Sequence, residues 1–141
     1  MRLSLIRSAV FVCATTGMML GCGGSTKKVE VSGKVTFPNN VKLTDTDSVS
    51  VEFIADGKGQ EGGTGSAKTD GAFQLKVAPG KYKVAVTVQP YPGQKDSDKR
   101  ASDITIAIGK FDRKNSTLSY EVTGDEKQTV NIDLTKGTVS K

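Results

Sequence analysis

The sequence predicts an all-β protein, a seven- to eight-stranded antiparallel β-sandwich behind an N-terminal export segment, and three observations carry that prediction. From Val29 onward apolar residues recur with a period of two, the mark of half-buried strands. Turn-forming residues punctuate the apolar runs, and the chain carries 16 glycines, more than long helices would tolerate. No window of about a dozen residues after Cys22 offers a convincing amphipathic helix. Short alternating strands separated by turns are the pattern of two packed antiparallel layers.

The strands follow in order. Val29, Val31, Val35 and Phe37 alternate with Glu30, Ser32, Lys34 and Thr36, and Val49, Val51 and Phe53 alternate with Ser48, Ser50 and Glu52. Residues 57–69 lack apolar alternation and read as a glycine-rich loop joining two strands. Phe73, Leu75 and Val77 form the next face, and Tyr82, Val84, Val86 and Val88 a longer one. Asp70-Gly71 is a hairpin signal because both positions tolerate positive φ, and Pro79-Gly80 reverses the chain before Tyr82. Lys76, Lys81 and Lys83 fall on the alternate positions, so this lysine stripe reads as the wet face of a hairpin, where lysine also discourages edge-to-edge pairing. Residues 89–100 are the longest polar loop. Ile104, Ile106 and Ile108, then Leu118, Tyr120 and Val122, then Val130, Ile132 and Leu134 complete the series, with Gly124-Asp125 between the last two. The sandwich is expected over 29–136, leaving 137–141 as a tail.

Composition narrows the function. The chain has no His and no Trp, and its two cysteines, Cys13 and Cys22, precede the predicted strands. Without His, triads built on Ser-His-Asp or Cys-His and His-ligated zinc or iron sites are excluded, and no catalytic activity or cofactor is expected. With no cysteine after Cys22, no disulfide crosslinks the domain. The formal charge of +5 falls to +3 once Arg2 and Arg7 are set aside with the export segment, too little and too dispersed for a nucleic-acid face.

The first 21 residues have two arginines, an apolar stretch from about Ala9 to Leu20 and small residues before a cysteine, the three-part layout of a secretory signal. About twelve apolar residues are too few to span a bilayer, which takes roughly 20. Met19-Leu20-Gly21-Cys22 resembles a bacterial lipobox, which makes Cys22 the expected lipidation site and the membrane the first partner. Two or more acyl chains give stable anchoring at about 0.8 kcal/mol per buried methylene. Residues 23–28 then form a flexible tether of roughly 13 Å average span, in which Lys27 and Lys28 either approach anionic headgroups or simply keep the tether soluble. The absence of Asp after the cysteine resembles outer-membrane rather than inner-membrane sorting, so the expected location is the bacterial cell envelope, on the periplasmic face or at the outer membrane.

Val31-Ser32-Gly33-Lys34-Val35, Thr69-Asp70-Gly71-Ala72-Phe73 and Ala78-Pro79-Gly80-Lys81-Tyr82 together resemble the carboxypeptidase regulatory-like domains, with Ile108-Gly109-Lys110-Phe111 and Ser116-Thr117-Leu118 similar to small bacterial lipoproteins of this type. The resemblance spans about residues 29 to 135 and implies a prealbumin-like (transthyretin-like, Ig-like) sandwich used as an accessory module. Two enzymes of related folds do not fit. Hydroxyisourate hydrolases need histidines and a C-terminal Tyr-Arg-Gly-Ser, and intradiol dioxygenases bind iron through two His and two Tyr; this chain lacks both sets.

The remaining motifs are weaker. "GKGQEG" (57–62) matches a dinucleotide fingerprint in letters and "GGTGSAKT" (62–69) nearly matches a phosphate loop, yet both need a helix to follow, and Asp70-Gly71 starts a turn instead. Asp45-Thr46-Asp47 and Asp96-Ser97-Asp98 cluster carboxylates without EF-hand spacing and read as turn caps, with calcium as the alternative. Asn115-Ser116-Thr117 is a formal glycosylation sequon that reads as chance in a bacterial chain. Tyr91, between Pro90 and Pro92, is the candidate ligand-binding residue, a ring that either stacks on a sugar or a partner or, as in an ordinary connection, folds back onto the sandwich. The expected function is a lipid-anchored, non-catalytic envelope module that engages an envelope protein or a polysaccharide; the alternative is a carbohydrate or small-ligand domain using the Tyr91 loop.

Overall fold

The computed structural model describes residues 27–57, 60–93, 96–124 and 126–141. It is all-β apart from one short helix with its 3-10 extension. The strands are β1 (Val29–Thr36), β2 (Ser48–Ala55), β3 (Gly63–Ala67), β4 (Ala72–Val77), β5 (Gly80–Gln89), β6 (Ser119–Val122), β7 (Lys127–Asp133) and β8 (Thr138–Ser140). They hydrogen-bond in the order β6-β5-β2-β3-β4-β1-β7-β8. A single pair, Ala67↔Phe73, joins β3 to β4, and the sheet folds there into two facing halves. The two outer ends are drawn together where Tyr120 of β6 hydrogen-bonds Gln128 of β7 at 3.2 Å. The result is a sandwich closed in the manner of a flattened barrel.

The period-two residues do what alternation requires. Val31, Val35, Val49, Val51, Phe53, Val84, Val86, Val130 and Ile132 are buried in one continuous core, each fully buried side chain worth roughly 1.5–3 kcal/mol. Gly33 occupies an inward position of β1 that a side chain cannot use. A Cβ there would lie 1.9 Å from the Val130 carbonyl oxygen and 2.9 Å from the Phe73 ring. Gly71 (φ +85°) makes the β3–β4 turn, and its Cβ would lie 2.0 Å from the Val35 carbonyl oxygen.

Five expectations change. Residues 63–67, read as loop, form β3. Its glycines hide it from a hydrophobic pattern, and they are needed because Cβ atoms at Gly63 and Gly65 would strike the β4 backbone, 2.9 Å from the Lys76 oxygen and 2.5 Å from the Gln74 oxygen. The end of the expected tail forms β8, paired with Asn131, Ile132 and Asp133. The strands are not all antiparallel, since β1 runs parallel to β7 from Glu30↔Lys127 to Thr36↔Asp133. Nor do β4 and β5 make a hairpin: β4 pairs with β1 and β3, β5 with β2 and β6, and Pro79-Gly80 carries the chain across from one half to the other. The lysines on these strands still face solvent.

The fifth change is the largest. Ser97–Ile108, which includes the end of the expected polar loop and the expected Ile104/Ile106/Ile108 strand, is helix α1, followed by a 3-10 turn, Gly109–Phe111. Ile104 and Ile108 are 5% and 3% exposed, whereas Ile106 is 80% exposed. The alternating isoleucines satisfy a strand, but the outer two also stand four apart, on one helical face. Tertiary context decides between them. β6 ends at Ser119, opposite Lys83, so beyond that point β5 has no strand neighbour on this side. The segment 116–118 and α1 lie there instead: Leu118 accepts from the Val84 N–H at 2.8 Å, and Ile104 and Ile108 border a small hollow beside Val86 and Val88. Phe111 then reaches the β7–β8 turn beneath Gly137. The helix thus covers an edge that would otherwise expose unpaired backbone.

Candidate functional site

The strand registers give the sandwich two distinct ends. The chain reaches β1 at Val29, which stands level with Val77 of β4, and this end also carries the 78–80 connection, the last residue of β6 at Val122 and the first of β7 at Lys127. At the other end lie the β1–β2 loop, the Asp70-Gly71 turn, the β7–β8 turn and the segment after Gln89, since Ser48 pairs with Gln89 and Ala67 with Phe73 there. Tyr91 therefore belongs to the end opposite Val29. It is 57% exposed.

Asp47 holds that far end together. Its carboxylate, 0% exposed, accepts from the Thr44 N–H at 2.8 Å, from the Tyr91 N–H at 3.3 Å and from the Arg100 guanidinium. Arg100 lies in the first turn of α1 and also donates to the Lys42 carbonyl at 3.4 Å. One carboxylate thus ties the β1–β2 loop, the Tyr91 segment and the helix. Burial alone would raise its pKa, but the donors from Thr44, Arg100 and Tyr91 outweigh burial and hold the carboxyl below its ordinary value. Asp45, its neighbour, accepts from the Thr69 hydroxyl at 3.2 Å and so braces the β3–β4 turn.

The other sequence-derived candidates fall as follows. Cys22, the signal segment and residues 23–26 of the tether lie outside the described residues. Lys27 and Lys28 make exposed ion pairs of 3.1 Å with Glu126 and Glu61, which set the two lysines against the Val29 end of the sandwich; pairs of this kind contribute about 0–1 kcal/mol. The described residues of the glycine-rich segment lead into β3 rather than into a helix. Asn115 is exposed, its amide donating to Asp112 at 3.0 Å, while Ser116 of the same sequon is buried and donates to the Val84 carbonyl. The two aspartate clusters do not come together as a metal site: among the described residues no group of three or more His, Cys, Asp or Glu side chains is placed to hold an ion. No helix among the described residues is long and apolar enough to cross a membrane.

Sequence reasoning missed two features. One is the Asp47–Arg100 pair, 53 residues apart in the chain, with no local signal. The other is a hollow of about 600 Å³ on β5 and β6, bordered by Asp56, Lys81, Lys83, Thr117, Ser119 and Glu121. Lys83 donates to the Arg113 carbonyl at 2.8 Å, and the Arg113 guanidinium lies 3.6 Å from Glu52; Ser116 and Leu118 also line the hollow.

These features define a small all-β sandwich with the start of β1 at one end and the exposed Tyr91 at the other. Among solved structures, a DUF3823 family protein from Parabacteroides merdae is similar at 14% identity and a TM-score of 0.39, over 75% of this chain and 45% of that one. This chain spans less than half the length of that protein, and a likeness of this size carries neither its fold nor its activity across. No family model and no curated protein matches the chain.

Proposed function

We propose that this chain is a lipid-anchored envelope protein whose single non-catalytic sandwich, of the carboxypeptidase regulatory-like type, displays its Tyr91 end to a protein partner in the bacterial envelope. The observation that carries this reading is the polarity of the fold. The tether leaves at Val29, and the exposed Tyr91 ring stands at the opposite end on a segment fixed by Asp47. A lipid on Cys22 sets the Val29 end against the membrane and the Tyr91 end away from it. Incorporation of labelled acyl chain, lost in Cys22→Ser, tests the anchor. For the display, a photo-crosslinking residue replaces Tyr91 in one variant and Thr123, at the tether end, in another. The same neighbour captured repeatedly from position 91 supports the reading; capture from position 123 alone, or from neither, refutes it.

The exposure of Tyr91 between two prolines favours a second reading, in which the ring stacks on a sugar. There, glycan binding by the intact protein is lost in Tyr91→Ala, and unchanged binding rejects that role.

A further inference from the structure

We infer that the hollow on the outer face of β5 and β6 is a binding site for a neutral oligosaccharide, separate from the Tyr91 end and independent of what docks there. Its volume of about 600 Å³ falls within the roughly 300–1,000 Å³ of small-ligand sites, room for more than one pyranose ring. Tyr82, Val84 and Val122 of these strands face the core, so alternation turns Lys81, Lys83, Ser119 and Glu121 outward. Lys81 stands directly opposite Glu121 and Lys83 opposite Ser119, with Cβ atoms of such pairs about 4.5–5.5 Å apart.

Charge selects the ligand class. Lys81 and Lys83 are balanced by Asp56 and Glu121 around the same hollow. An anion drawn by the ammonium groups meets two carboxylates, and a cation meets two lysines. A molecule with no net charge and many hydroxyls satisfies both, because each hydroxyl donates to a carboxylate or accepts from an ammonium, and such charge-assisted bonds are roughly twice as strong as neutral ones. Neighbouring ring hydroxyls suit a donor and an acceptor set side by side, as Lys81 and Glu121 are. Lys83 is oriented in advance, since its ammonium donates to the Arg113 carbonyl, which limits the ordering cost of binding.

The full-length lipidated protein in detergent is applied to an array of neutral and acidic glycans, and hits are titrated by calorimetry. A neutral oligosaccharide is expected to bind, to weaken at least tenfold in Lys81→Ala and in Glu121→Gln, and to be blocked by Ser119→Phe. Tyr91→Ala leaves its affinity unchanged. Melting temperatures confirm that the variants fold, and surface positions such as these tolerate substitution. Binding confined to acidic glycans, binding that survives Ser119→Phe, loss through Tyr91→Ala, or no glycan bound at all overturns the assignment. Cross-linking from position 91 proceeds in the Lys81→Ala variant, so failure here is distinguishable from failure of the display reading.

Discussion

Replacing Asp47 by Asn removes one charge from a carboxylate screened by its hydrogen-bond donors in a half-buried residue and leaves its shape nearly intact. The native group accepts from the Thr44 N–H, the Tyr91 N–H and Arg100. Asparagine keeps one acceptor oxygen and turns the other position into a donor, which must face either the guanidinium or a backbone N–H. The residue as a whole is half-buried and the Arg100 side chain is 22% exposed, so the deep-interior penalty does not apply; hydrogen bonds to a charged group contribute about 1.5–3 kcal/mol, and a loss of about 1–3 kcal/mol at neutral pH is expected. In a domain of this size each kcal/mol lowers the melting temperature by about 4 °C. The sign with pH follows from the depressed pKa of the folded state. The carboxylate's contribution is complete above the unfolded value, near 3.8, and is lost as pH falls through the lower folded value. Urea titrations of both proteins at a series of pH values from neutral to strongly acid should therefore show a stability gap that is widest near neutrality and closes on acidification. A gap below about 0.5 kcal/mol at neutral pH, the level of an ordinary surface change, or one that does not narrow in acid, would refute the role assigned to Asp47.

Three further outcomes are expected. Ile104→Ala and Ile108→Ala each lower unfolding free energy by about 2–5 kcal/mol, while Ile106→Ala stays within about 0.5 kcal/mol; equal effects at all three positions, measured by denaturant titration, would restore the strand reading. Gly33→Ala forces a methyl into the Val130 carbonyl and the Phe73 ring and costs about 1–3 kcal/mol or more, so an unchanged thermal midpoint rejects the packing described for β1. Tyr82→Phe leaves the Ala78 carbonyl, now 2.7 Å from the Tyr82 hydroxyl, without that donor, and should lose about 1–3 kcal/mol in the same titration.

The legible parts of the fold were those where one face of one strand meets the core. Val49, Val51 and Phe53, or Val130, Ile132 and Leu134, carry their burial in their spacing, and the structure places them as the alternation requires. β3 was illegible because its close approach to β4 demands glycine, and glycine has no side chain to alternate. β8 has three residues and one partly buried apolar side chain, Val139, too short to show a period. The isoleucine segment carried two valid periodicities at once, and nothing within it says that β5 lacks a strand neighbour beyond Lys83.

The candidate sites divide along the same line. Tyr91 could be picked out because prolines stand on both sides of it, but whether its ring would fold back onto the sandwich or stand out from it was not legible in the sequence; the structure leaves it exposed. Its fixation by Asp47, and the convergence of Lys81, Lys83, Asp56 and Glu121 on one hollow, depend on residues brought together only by folding.

By itself the sequence determined the β class and most of the core, because alternation and composition are local properties of the chain. The tertiary structure decided the parallel β1–β7 pairing, the crossing at Pro79-Gly80, the choice of helix for Ser97–Ile108 and the two-ended polarity of the sandwich. Those depend on which strand edges are already occupied, and occupancy is a property of the assembled sheet rather than of any segment within it.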